Sequence, residues 1–197
     1  RRQRQMCIRD RARAAMAQLA RFYGLPSYCT GAGNDSKAVD AQAAAESAMG
    51  IILNALAGLT LTQTMGTMAS GTFGSLEMLV ICDEIVAMAK RILRGIAVND
   101  ETLALDVIMA VGPGGHFLDL EHTARVFRDE FFFPSLFDRR GIDDWQARGG
   151  LRADEVARAR VREILAAEEP EILPAAARQA LETCMNKWVT RASVRPA

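Results

Sequence analysis

Histidine occurs only twice in this 197-residue chain and cysteine only four times. Cys7, Cys29, Cys82 and Cys184 lie far apart and form no CxxC pair, so reduced thiols are expected rather than a disulfide framework. His116 and His122 stand six apart with Asp119 and Glu121 between them. That is neither an HExxH spacing nor a helical i, i+4 pair, and no metal site is expected. An excess of either charge is also missing, with 24 basic residues against 24 acidic ones. The arginines are scattered through mixed Glu/Arg helices rather than gathered on one face, which argues against a nucleic-acid partner. Apolar runs stop short of membrane-spanning length, and the Arg-rich start lacks the uninterrupted apolar stretch of a signal peptide. What is present is a chain half hydrophobic and one quarter charged, the composition of a soluble, cytoplasmic protein with a sizeable core.

The most informative stretch is residues 30–58, where a glycine-rich turn carries a polar cluster into a long apolar helix. Asn34, Asp35, Ser36, Lys37 and Asp40 fall within the turn. Such a turn can direct backbone N–H groups and short side chains at a ligand, and the helix behind it offers its positive end to a carboxylate. Residues 26–30 read as a short strand, so the cluster sits where a strand ends and a helix begins, the place where α/β barrels and open α/β sheets keep their active sites. An ordinary loop with an Asp cap explains the same residues equally well.

Around this stretch the pattern predicts a helix over residues 12–23, stopped by Gly24 and Pro26, and a second helix capped by Asp40 and closed by Gly58. Met49, Ile52, Leu53 and Leu56 would form the apolar face of the second helix. Residues 59–64 (LTLTQT) alternate as a strand whose polar side lines the barrel or the site. A second glycine-rich loop, residues 65–75, leads to a helix capped by Ser75, with Met78, Ile81, Cys82, Ile85, Met88, Ala89 and Ile92 as its buried stripe. Two strand–loop–helix units in succession call for a parallel sheet. Beyond Gly95 the pattern is helical: from Asn99 or Asp100 through Met109, over residues 118–131, near Trp145, and over residues 151–168 and 173–192, the last two parted by Pro170 and Pro174.

Four segments in order carry a resemblance: GLPSYCTGAGNDSKAVDAQAAAES, SLEMLVICDEIVAMAKRILRGIAV, ETLALDVIMAVGPGGHFLDLEHT and FPSLFDRRGIDDW. Together they resemble the trimethylamine methyltransferase family from about Ala12 to Trp188. The resemblance implies a (β/α)₈ barrel that moves a methyl group from a methylated amine to a cobalt corrinoid held by a separate small protein, with no cofactor bound directly. A whole barrel needs roughly 250 residues, so residues 12–197 read as the carboxyl-terminal part of a TIM-barrel domain with a helical end, inactive alone. Residues 1–11 match no part of the family and read either as translated adapter sequence or as a disordered basic arm. Some family members use pyrrolysine, at a position upstream of the region matched here. Homo-oligomerisation is compatible with the pattern, and the catalytic residues are not assigned.

A methylammonium cation calls for carboxylates and aromatic faces, which Asp35, Asp40, Glu46 and Tyr28 offer. A betaine carboxylate would want Lys37 or the N–H groups of the turn around Asn34. Gln42 and Glu46 lie one helical turn apart and can act together or support the site from behind. Gly114, Gly115 and His116 form a turn that reads as a lid or partner-contact loop, with a packing role favoured. Cys29 beside the polar turn reads as a small buried side chain before it reads as a nucleophile. Two alternatives stand beside the methyltransferase: a barrel enzyme using Lys37 on a carbonyl substrate, and a non-catalytic helical interaction module built on residues 151–192.

Overall fold

The computed structural model describes residues 5–167 and 173–193; the helix end at Glu168 and the break at Pro170 lie outside the described residues. Two compact units divide the chain, Arg1–Glu163 and Ile164–Ala197.

The first unit opens with α1 (Gln5–Phe22), which starts ahead of the expected Ala12 and is followed by Gly24 at φ +66°. Then come β1 (Tyr28–Thr30), α2 (Ala41–Ala57) and β2 (Leu61–Gln63). β1 and β2 pair in parallel, as expected, with Tyr28 opposite Leu61, Cys29 opposite Thr62 and Thr30 opposite Gln63. Parallel strands require a long crossover, which α2 supplies. The Asp40 carboxylate accepts the Ala43 N–H at 2.9 Å to start α2, and Gly58 at φ +79° closes it. Only this two-stranded parallel sheet forms, and no barrel closes among the described residues.

The second glycine-rich loop holds more structure than expected. It contains β3 (Thr67–Met68), a single 3₁₀ turn (Ala69–Gly71) and β4 (Phe73–Gly74), with β3 and β4 antiparallel. α3 (Leu76–Arg94) follows, its first turn capped by the Ser75 hydroxyl on the Met78 N–H at 3.1 Å.

α2 packs between α1 and α3. Its buried face is Ala43, Ser47, Gly50, Ile51, Asn54 and Ala57, whereas Met49 and Leu56 are exposed. The expected apolar face is therefore rotated, because the side that meets the loops must be small. A Cβ at Gly50 would land on the Gly31 carbonyl, so the helix approaches the loop backbone directly. α3 buries Met78, Ile81, Cys82, Glu84, Ile85 and Ala89, close to the expected stripe, while Ile92 is exposed. The apolar ones join Ala32, Met68, Leu136 and Ala157 in the core, where each large apolar side chain contributes roughly 1.5–3 kcal/mol.

Between α3 and α8 the helices are short. α4 (Asp100–Leu103) and α5 (Leu105–Val111) replace the single expected helix because Ala104 turns left-handed at φ +47°. Asn99 and Thr102 close a reciprocal cap on α4. α6 (Glu121–Glu130) is held at its carboxyl end by α3: Arg91 and Arg94 donate to the Glu130 and Asp129 carbonyls and pair with the Glu130 carboxylate at 2.7 and 2.9 Å. Glu84, 6% exposed, accepts the Ser135 hydroxyl at 2.7 Å and the Leu136 N–H at 3.2 Å, fixing the segment after α6 to the core. α7 (Ile142–Ala147) and α8 (Ala153–Ala166) follow, and Arg158 of α8 pairs with Glu77 at 3.4 Å. In the second unit, α9 (Ala175–Ser193) carries Leu181, Met185, Trp188 and Val189 exposed along one side. No described helix is long and apolar enough to cross a membrane.

Candidate functional site

The turn after β1 is locked from below by buried polar groups. Asn34 is 1% exposed. Its side-chain amide donates to the Ser47 hydroxyl and to the Thr67 carbonyl, both at 3.3 Å, and its side-chain oxygen accepts the Ser36 N–H at 3.1 Å. Ser47 in turn donates to the Ala32 carbonyl at 2.6 Å. The Ser36 hydroxyl donates to the Asp40 carboxylate at 2.9 Å and accepts the Ala38 N–H at 3.3 Å. Buried amide and hydroxyl groups are tolerated because almost every donor and acceptor here is matched.

The two glycine-rich loops are also tied along their backbones. The Asn34 N–H donates to the Thr67 carbonyl at 3.2 Å, while the Ser36 and Asn34 carbonyls accept the Ala69 and Ser70 N–H groups at 3.0 and 3.1 Å. The Thr64 hydroxyl accepts the Gly33 N–H at 3.1 Å. Thr60 and Thr64 of the second strand region thus serve the first one by hydrogen bonds, and the Thr62 hydroxyl oxygen is buried beside Asn54 and Gly31. The polar side of that strand faces α2 and the loop.

On this scaffold the charged groups stay at the surface. Asp35 is half-buried: its N–H donates to a Glu46 carboxylate oxygen at 2.6 Å, and its own carboxylate accepts the Ser70 hydroxyl. Gln42 donates to the other Glu46 oxygen at 2.8 Å, and the exposed Lys37 ammonium reaches the Asp35 carbonyl at 2.5 Å. Asp35, Lys37, Gln42 and Glu46 are therefore brought together. Asp40 joins them as the helix cap. The Ala43 N–H and then the Ser36 hydroxyl hold its carboxyl below the usual carboxylate range, which keeps it ionised and occupied as an acceptor.

Tyr28 is placed elsewhere, at the opposite end of β1, roughly 7 Å along the strand from Thr30. It lines an open groove of about 520 Å³ with Arg13, Met16 and Leu59. Gly114, Gly115 and His116 form an exposed turn in which His116 pairs with Asp119 at 3.3 Å, both 70% exposed, and no hydrogen bond joins it to the polar turn among the described residues. His122 faces the Glu101 carbonyl at 3.1 Å. The Cys29 thiol is pushed up by burial, with Arg13 opposing, and contacts the Thr30 carbonyl and the Asn54 side chain. A thiol held protonated in this way is a poor nucleophile.

Ser47, Thr64, Ser70 and Glu84 were not singled out by the sequence. The first had a readable signal, since Ala43, Ser47, Gly50 and Asn54 recur at steps of four, three and four and mark a small, polar helix face. Ser70 had none, because its partner Asp35 lies on another loop.

Comparison with known proteins adds to this geometry. A family model described as trimethylamine methyltransferase (MTTB) matches residues 8–192, so the likeness reaches residues 8–11, which the sequence reading had left outside the family. Glycine betaine methyltransferase of Desulfitobacterium hafniense (strain Y51) is 42% identical over 161 residues, covering 81% of this chain and 33% of that protein. Trimethylamine methyltransferase MttB2 of Methanosarcina mazei is 43% identical over 152 residues, covering 77% of this chain and 30% of its own length. MttB of Methanosarcina barkeri is 41% identical with the same coverage. The chain spans about a third of the length of these curated relatives.

Proposed function

The chain belongs to the trimethylamine methyltransferase family, and on that footing we propose that it forms part of a cytoplasmic (β/α)₈-barrel enzyme that transfers a methyl group from a methylated amine to a corrinoid. The corrinoid, carried by a small partner protein, supplies the nucleophilic cobalt. The parallel β1–α2–β2 unit is one segment of the barrel wall, and the loop after β1 lies at its mouth. With about a third of the relatives' length, the chain alone lacks most of that wall and is inactive by itself.

The observation that carries this reading is the face formed by Asp35, Lys37, Gln42 and Glu46 on a loop tied to the second loop at Asn34 and Ser36. Departure of a neutral amine needs little acid–base work. The task of the protein is to hold a cation in line for displacement, and positioning of this kind is worth much of a barrier. Asp35 and Glu46 present carboxylate to a methylammonium group. Lys37 and the adjacent turn present positive charge to the carboxylate of a betaine. A Schiff-base role for Lys37 is not favoured, since nucleophilic lysines are activated by desolvation and Lys37 is exposed.

In a full-length enzyme containing this chain, Asp35→Ala or Lys37→Ala is expected to lower the rate of Co(I) to methyl-Co(III) conversion at least about tenfold, the effect of one charge-assisted contact at ~1.5–3 kcal/mol. Thermal melting should barely move. Unchanged rates would retire the site, and lost rates with an equally lost fold would make these residues structural.

A further inference from the structure

Ser70 occupies a backbone position that favours glycine. Its φ of +57° and the +48° of Ala69 make two consecutive left-handed residues, neither of them glycine, and Gly71 follows at +90°. Backbone strain of this kind directs attention to what the Ser70 side chain touches. Asp35 lies between Asn34 and Ser36, and the carbonyls of both neighbours are held by the second loop, Asn34 by the Ser70 N–H and Ser36 by the Ala69 N–H. The Ser70 hydroxyl then donates to the Asp35 carboxylate. Backbone of the second loop therefore sets where Asp35 stands, and one hydroxyl sets which way its carboxylate turns.

We propose that Ser70 is a positioning residue for the methylated-amine cation: by holding one Asp35 oxygen, it leaves the other aimed at the ammonium group. This rests on the reading of Asp35 as the substrate carboxylate.

Ser70→Gly separates the hydroxyl from the backbone. Glycine adopts φ +57° without strain and keeps the N–H that Asn34 accepts, so a purely structural role predicts an unharmed or improved enzyme. The assay is corrinoid methylation by trimethylamine and by glycine betaine in the full-length enzyme, read as kcat and KM separately and accompanied by melting curves. The expected result for Ser70→Gly is a KM raised about tenfold for the amine that is turned over, a kcat changed less than threefold and a melting temperature at or above that of the parent. Ser70→Asn, which tolerates the left-handed region and offers a side-chain N–H, should recover part of the KM. In the Asp35→Asn background, Ser70→Gly should add nothing. An unchanged KM in Ser70→Gly beside a damaged Asp35→Asn would overturn the role of Ser70 and leave the site standing. Full activity in Asp35→Asn would sink both readings. A lowered melting temperature in Ser70→Gly would assign the hydroxyl to the fold and overturn the proposal.

Discussion

The two glycine-rich loops follow successive strands and lead into successive helices, yet their glycines serve different ends. In the first, Gly31 and Gly33 keep ordinary φ values, and Gly31 is confined by Asn54, Thr62 and the close approach of Gly50. In the second, Gly66 and Gly71 stand at φ +74° and +90°, and Thr64, Ala69 and Ser70 share that left-handed region. One loop needs glycine because there is no room for a side chain, the other because the backbone bends where side chains are strained. The first loop carries the charges, and the second holds them in place.

The largest effect that tests this contrast is steric. Gly50→Ala should destabilise the protein by about 1–3 kcal/mol through overpacking against the Gly31 carbonyl, although an exposed helical Gly→Ala ordinarily gains ~0.5–1 kcal/mol. Urea unfolding with a lowered midpoint and unchanged slope is the readout. A stabilised variant would mean that α2 does not press on the loop.

The second loop should respond with opposite signs at neighbouring positions. Ala69→Gly removes left-handed strain and should raise stability by ~0.5–1 kcal/mol, while Gly71→Ala, which has open space around it, should cost about 1 kcal/mol from backbone strain alone. Melting of the two variants side by side decides it. Equal signs would erase the distinction between the loops.

How much of this was readable depends on distance along the chain. Asp40, Gly58 and Ser75 were legible as caps because a cap acts within three or four residues of itself. The parallel pairing was legible because α2 is the crossover between β1 and β2. The β3–β4 hairpin was not, since Ala69 and Ser70 carry no sign of a left-handed turn. The buried face of α2 was misread because large apolar residues drew attention to Met49 and Leu56, whereas contact with Gly31 selects small ones. Glu84 escaped notice because a carboxylate in an apolar stripe reads as a surface position until Ser135 and Leu136 arrive to meet it. Within the polar turn, the grouping of Asp35, Lys37, Gln42 and Glu46 was accessible from spacing, and the hold of Ser70 on Asp35 was not.

The smallest effect concerns protons. The Asp40 carboxyl is held below its ordinary value by the Ala43 N–H and the Ser36 hydroxyl, so its contribution is present above about pH 4 and is lost as pH falls through the lowered value. Asp40→Asn, itself a good cap, should melt within a degree or two of the parent at pH 7 and lose less than the parent on acidification towards pH 3. Some acid sensitivity will remain at the second loop, where Glu77 is depressed by its own backbone N–H and the Ser75 hydroxyl. An identical acid slope for the two proteins would show that the Asp40 cap has no electrostatic component.

Glu84 has a consequence in time. Its two partners lie 51 and 52 residues further along the chain, and at a synthesis rate of about 5–20 residues per second they follow it off the ribosome by roughly 3–10 s. For that interval α3 has a carboxylate on the side that later faces the core. Closing the core over it before the Pro134 to Leu136 segment is delivered would bury a carboxylate with neither of these two partners, which is costly. An acidic residue inside the apolar stripe thereby ties closure of that side of the core to a segment made some fifty residues later.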